Sequence, residues 1–101
     1  MIIYNTTVQV AGPIADAWIS WLKEVHIPAI MKTGCFTHHT IVRLLEIDES
    51  EGPTYAIQYS AESKADYNRY IALHAPGFQE QSRARWGDGY VAFSSVMQVV
   101  H

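Results

Sequence analysis

Five histidines, a single cysteine and a band of uncharged polar side chains hold most of the reactive chemistry in this chain. Imidazoles titrate near neutrality and ligate metals, so the histidines come first. His38 and His39 are adjacent on an expected strand, where neighbouring side chains point to opposite faces and do not readily share one ion. His26 and His74 fall on different expected helices, and His101 is terminal. No HxH, HExxH or CxxC spacing is present, so no metal site is expected. His26, within Glu24-Val25-His26-Ile27-Pro28, has the chemistry of a general acid or base. It has a structural reading too, because a kink at Pro28 frees a backbone carbonyl that nearby polar groups can satisfy. Arg85, beside Trp86, can hold an anion or stand in solvent. Cys35 has no basic neighbour in sequence to activate it. Trp18, Trp21 and Trp86 are explained by core packing without a ligand. No cofactor motif is found, and no cofactor is expected.

The elements that must position these residues follow from hydrophobic period. Residues 2–10 alternate and read as a half-buried strand. Ile14, Trp18, Trp21, Leu22 and Val25 form one apolar stripe at helical period, and Pro28 should kink that helix near His26-Ile27. Gly34 is placed to cap its C-terminus. Residues 35–47 read as a long second strand, apolar on both parities, joined by the acidic turn 48–53 to a third strand at 54–61. Ser63 should cap the next helix, with Asp66 in an approximate capping-box position. Pro76-Gly77 interrupts that helix, and a further helical stretch runs to about Trp86. After the turn at 87–89, residues 90–100 form the last strand, with Val91, Phe93, Met97 and Val99 on one face.

The order β-α-β-β-α-β predicts a ferredoxin-like α+β fold over residues 1–101, a single domain. Its four-stranded antiparallel sheet carries the helices on one face. The other face is bare in a lone chain. A second strand apolar on both sides marks a contact surface, which a twofold homodimer packing sheet to sheet would cover.

If Tyr4, Val8, Phe93 and Met97 face the helices, the bare face carries Ile3, Asn5, Thr7, Gln9, Gln58, Ser60, Tyr90, Ser94 and Gln98. The tyrosines of the third strand can belong to either face. Asn5, Thr7, Gln58, Ser60 and Tyr90, with Arg85, are therefore the candidate ligand-binding residues. An uncharged polar set of this kind suits a polar, neutral small molecule held between sheet and partner. It also suits a wet dimer interface bridged by water.

Composition excludes other partners. The net charge is −3, and only seven lysines and arginines are scattered along the chain. No basic face can be assembled for nucleic acid or for an anionic membrane. One cysteine cannot form an internal disulfide, which fits a reducing compartment. No secretory leader is read at the N-terminus, and no apolar run nears the ~20 residues that span a bilayer. The expected location is the cytoplasm.

Several segments are familiar together: MIIYN at the start, WLKEVHIPAIMKTGCF (21–36), YAIQYSAES (55–63), and the run from Tyr67 through HAP (74–76) to RWGD (85–88). They resemble a family of short bacterial proteins designated only as a domain of unknown function, and the likeness covers nearly the whole chain. It implies no activity. More distantly, the fold order and His26-x-Pro28 are similar to the dimeric α+β barrel superfamily. That group includes cofactor-free monooxygenases, haem-degrading enzymes, small isomerases and stress-responsive proteins. The likeness implies a dimer.

In the haem-degrading members an asparagine on the first strand and a histidine on the second helix face one pocket, which makes Asn5 and His74 candidates here. The tryptophan expected between them is missing, and Ser63 to Leu73 offers Tyr67 and Tyr70 instead. Three functional classes remain. The first is a homodimeric binder or sensor of a small polar molecule. The second is a cofactor-free oxygenase, haem-degrading enzyme or isomerase using His26, His74 or Asn5. The third is an interaction module without a ligand.

Overall fold

Alternating β-branched and aromatic residues build the sheet, and the computed structural model describes all residues 1–101. The strands are β1 (Ile2–Val10), β2 (His38–Arg43), β3 (Thr54–Ala61) and β4 (Tyr90–Gln98). They lie in the order β2-β3-β1-β4, and every neighbouring pair is antiparallel. Helical segments fill both crossovers: α1 (Ala15–Trp21) and α2 (Ile27–Met31) before β2, α3 (Lys64–Leu73) and α4 (Ala75–Trp86) before β4. This is the ferredoxin-like α+β arrangement. No helix is long and apolar enough to cross a membrane.

Local signals act where the residues demand. Ser63 Oγ accepts the Asp66 backbone N–H at 3.2 Å, capping α3. Gly34 takes φ 75°, the left-handed conformation that glycine adopts at least cost after a helix. Pro28 lacks a backbone donor, and the helix answers with a π-helical turn, Leu22–His26, between α1 and α2. There the Ile27 N–H bonds to the Leu22 carbonyl, five residues back. The wider turn returns Ile27 to the buried face below Leu22 and leaves Val25 55% exposed. The apolar stripe expected to run through Val25 is thus diverted to Ile27 and Ile30, which are both buried.

Two sheet expectations need correction. The second strand is six residues, not the full run 35–47. Phe36 precedes it in the core, while Leu45 and Ile47 follow it and are exposed. The strand that remains, HHTIVR, is largely polar and adds only Val42, 42% exposed, to the apolar surface of the open face.

The face of β4 is also inverted. Paired residues share a face, and Tyr4 lies opposite Tyr59 and Val96, whereas Asn5 lies opposite Gln58 and Ser95. Tyr90, Ser94 and Gln98 therefore join Tyr4 and Val8 on the helix side. Val91, Phe93 and Met97 join Asn5, Thr7 and Gln9 on the open side. Val91 is 68% and Phe93 66% exposed there. The open face thus mixes neutral polar groups with large bare apolar ones.

The core sits between the helices and the other face. Tyr4, Val8, Ile57 and Tyr59 of the sheet pack with Trp18, Leu22, Ile30, Phe36 and Tyr70. It is unusually aromatic: Tyr4 lies within 5.7–6.3 Å, centroid to centroid, of Phe36, Tyr59, Tyr67 and Tyr70.

Candidate functional site

The helices do not fill the space above the sheet. A cavity of about 330 Å³ remains between them. Its floor is Tyr4, Thr6 and Val8 of β1, Ile57 and Tyr59 of β3, and Ala92 and Ser94 of β4. Strand alternation selects these residues, which share one face by register. Trp18, Trp21 and Leu22 descend from the first helical segment, and Tyr70 and Phe78 from the second. Gln79, Ser82 and Arg83 of α4, with Tyr90, form a more polar and more exposed part of the lining.

The polar side chains that line the cavity are uncharged apart from Arg83. Ser94 Oγ lies 3.2 Å from both Tyr4 Oη and Thr6 Oγ1, a short chain of hydroxyls along the floor. Burial raises the pKa of Tyr59 and Tyr70 far above the phenol range, with smaller pushes from neighbouring tyrosines, so both stay protonated. His26 is the last residue of the π turn. Its ring stacks on Trp21 at 4.5 Å and meets the edge of Phe78 at 5.8 Å. Burial lowers its pKa to about 4, so the imidazole is neutral at neutral pH. The Trp18 indole N–H is buried without a hydrogen-bond partner, a donor left open beside the cavity. No aspartate or glutamate lines the space.

Residues 1–100 match the family model described as a domain of unknown function, DUF4286. The chain belongs to that family. No curated protein matches it. Among solved structures, this DUF4286 chain is similar to a dimeric ferredoxin-like protein from an uncultured marine organism. The TM-score is 0.68 at 14% identity, covering 99% of this chain and 95% of that one. A candidate antibiotic-biosynthesis monooxygenase from Deinococcus radiodurans superposes with TM-score 0.73 at 14% identity, covering 100% and 94%. SnoaB, a cofactor-independent oxygenase from Streptomyces nogalater, gives 0.69 at 17% identity, covering 99% and 93%. At these identities the likeness establishes the fold.

The residues singled out from sequence divide between the two sides of the sheet in this DUF4286 chain. His26 lines the cavity, as does Tyr90. Asn5, Thr7, Gln58 and Ser60 gather on the open face, where Asn5 Nδ2 donates to Thr7 Oγ1 at 3.1 Å. His74 sits at the junction of α3 and α4, its ring 6.3 Å from that of Tyr70, outside the cavity lining. Asn5 and His74 therefore do not face one pocket. Arg85 is exposed, its guanidinium 5.0 Å over the Trp86 ring, and it too lies outside the lining. No group of three or more His, Cys, Asp or Glu side chains is close enough to hold a metal.

Sequence reasoning passed over Trp18, Trp21, Tyr59, Tyr70, Phe78 and Arg83. One signal was available: Phe78 and Ser82 of α4 stand four residues apart, with Gln79 and Arg83 beside them, so all four share one side of that helix.

Proposed function

We propose that this protein is a homodimer that binds a small, planar, largely apolar molecule in the cavity between sheet and helices. One observation carries this reading. A space of about 330 Å³ is walled by aromatic rings and edged by a few hydroxyl and indole donors. That volume falls at the lower end of ordinary ligand pockets, which are mostly apolar with a few placed polar groups. The site differs from the sequence expectation in place and character. It lies on the helix side and favours an aromatic body over a strongly polar one.

The homodimer is supported by the exposed Val91, Phe93 and Met97 on the open face and by the dimeric state given for similar structures. A second copy laid face to face would cover those side chains, with Asn5 and Gln58 in the interface. Sedimentation velocity at micromolar concentration checks it, and a stable lone protomer would refute it. Titration with bicyclic aromatic compounds, followed by intrinsic tryptophan fluorescence, checks the cavity. Saturable quenching is expected from Trp18 and Trp21, and its absence across such a panel would refute the reading.

A second reading, a cofactor-independent oxygenase, is favoured by neutral His26 in the same lining as the hydroxyl chain. A neutral imidazole can take a proton from an acidic O–H or C–H of a substrate. SnoaB, similar in fold, is described as a cofactor-independent oxygenase. Oxygen uptake on adding an autoxidisable bicyclic phenol, lost in His26→Gln while binding persists, would establish this chemistry. Binding without uptake would leave the protein a binder.

A further inference from the structure

We infer that the molecule taken by this cavity is an anion, an aromatic body carrying a carboxylate or similarly acidic oxygen that pairs with Arg83. The inference rests on the cavity reading above and narrows it to a ligand class. Arg83 is the lone arginine or lysine in the lining, which contains no acid to neutralise it. The chain's two ion pairs use other arginines, Arg43 with Glu49 and Arg69 with Asp66. Arg85 stands over Trp86 outside the lining, whereas Arg83, also exposed, lies at the cavity's rim. Arg83 alone combines a place at the cavity with the lack of a carboxylate partner.

Its guanidinium is also held in place. Arg83 Nη1 donates to the Gly87 carbonyl at 2.7 Å, and the guanidinium carbon lies 4.6 Å over the Tyr90 ring. Gly87 reaches that position with φ 55°, closing α4 so that its carbonyl meets the side chain four residues back. The bond and the ring contact account for one of the five donors a guanidinium carries. Others stay open in the planar fork that matches a carboxylate. Capping the helix end would explain the bond to Gly87. It does not explain a fixed, acid-free cation at an aromatic cavity.

A second observation points to a ligand acceptor independently. Trp18 is 3% exposed, lines the cavity, and its indole N–H has no partner in the chain. An oxygen on the bound molecule would satisfy this donor, which otherwise leaves a buried polar group unpaired. His26 adds no competing charge, because burial keeps it neutral.

Calorimetry with 2-naphthoate and its neutral isostere 2-naphthamide tests the inference. The intact protein should bind the carboxylate at least about tenfold more tightly than the amide, the scale of one hydrogen bond to a charged group. Arg83→Gln should erase that preference, the carboxylate losing at least about tenfold more affinity than the amide. Arg83→Lys should restore part of it, and added salt should weaken the carboxylate alone. Equal binding of the two probes to the intact protein overturns the anion and leaves the cavity reading standing. Equal weakening of both probes in Arg83→Gln does the same. Failure of both probes to bind removes the cavity reading together with the inference. Should Arg83→Gln not fold, the probe ratio and its salt dependence in the intact protein still decide.

Discussion

The two faces of one sheet differ more than the strands that form them. On the helix side, Tyr4, Ile57 and Tyr59 are buried among rings, and the gap left above them is walled by Trp18, Trp21, His26 and Tyr70. On the open side, Val91, Phe93 and Met97 stand exposed beside half-buried Thr7 and Gln58, while Asn5 is buried among its neighbours at 8% exposure. The first face has an incomplete core, a shape that suits a small guest. The second has a flat mixed surface, a shape that suits another protein surface. Ligand binding and self-association should therefore be separable by mutation.

The largest effect should come from the aromatic side. Trp18→Ala removes a buried ring that stacks 5.8 Å from Tyr55 and should cost about 3–5 kcal/mol of unfolding free energy in urea. Gln58→Ala on the open face should cost under about 1 kcal/mol. Comparable losses would mean that the two faces are not energetically distinct.

The pH dependence gives the next largest effect. The folded pKa of His26 is about 4, below its ordinary 6.5, so as pH falls the unfolded chain takes up the proton first. The stability linked to neutral His26 is full above pH 6.5 and is lost progressively as pH falls toward 4. The loss is about 1.4 kcal/mol per pH unit, roughly 3 kcal/mol in all. The difference between intact protein and His26→Gln across that window isolates this contribution from the carboxylates. Parallel profiles would place His26 in water rather than in the cavity wall.

Self-association should respond to the other face alone. Val91→Glu puts a charge on the bare surface of β4, outside the cavity lining, and should weaken the dimer at least about tenfold by sedimentation, with ligand affinity per chain retained. Loss of both together would show one shared site. The smallest effect is expected from Ser94→Ala, which removes the hydroxyl joining Tyr4 and Thr6. It should change stability or ligand affinity by about 0.5–1.5 kcal/mol and leave the dimer intact.

Much of the architecture was legible because it depends on local chemistry. The capping by Ser63, the left-handed Gly34, the break near Pro76 and the turn before Tyr90 all follow from residue types at fixed offsets. The site was less legible, for reasons visible in particular residues. Alternation groups Val91, Phe93 and Met97 on one face but cannot say which one, and apolar residues default to the core. Here they lie outside it, and Tyr90 and Ser94 moved to the cavity side when the face inverted. Phe36, Leu45 and Ile47 mimicked a two-sided strand although only His38–Arg43 pairs. The π turn depends on how Pro28 is accommodated in three dimensions, so the exposure of Val25 did not follow from helical period. Arg83 and Arg85 are equally basic in sequence, and only the position of α4 over the sheet separates them.

On the proposed reading the guest enters the helix side of the sheet. A nitrogen-15 correlation spectrum of the labelled dimer, recorded during titration with 2-naphthoate, addresses it most directly. The Trp18 indole N–H resonance and the backbone amides around His26 and Arg83 should shift, while the side-chain amides of Asn5 and Gln58 stay fixed. Shifts confined to Asn5 and Gln58, with Trp18 unmoved, would contradict it.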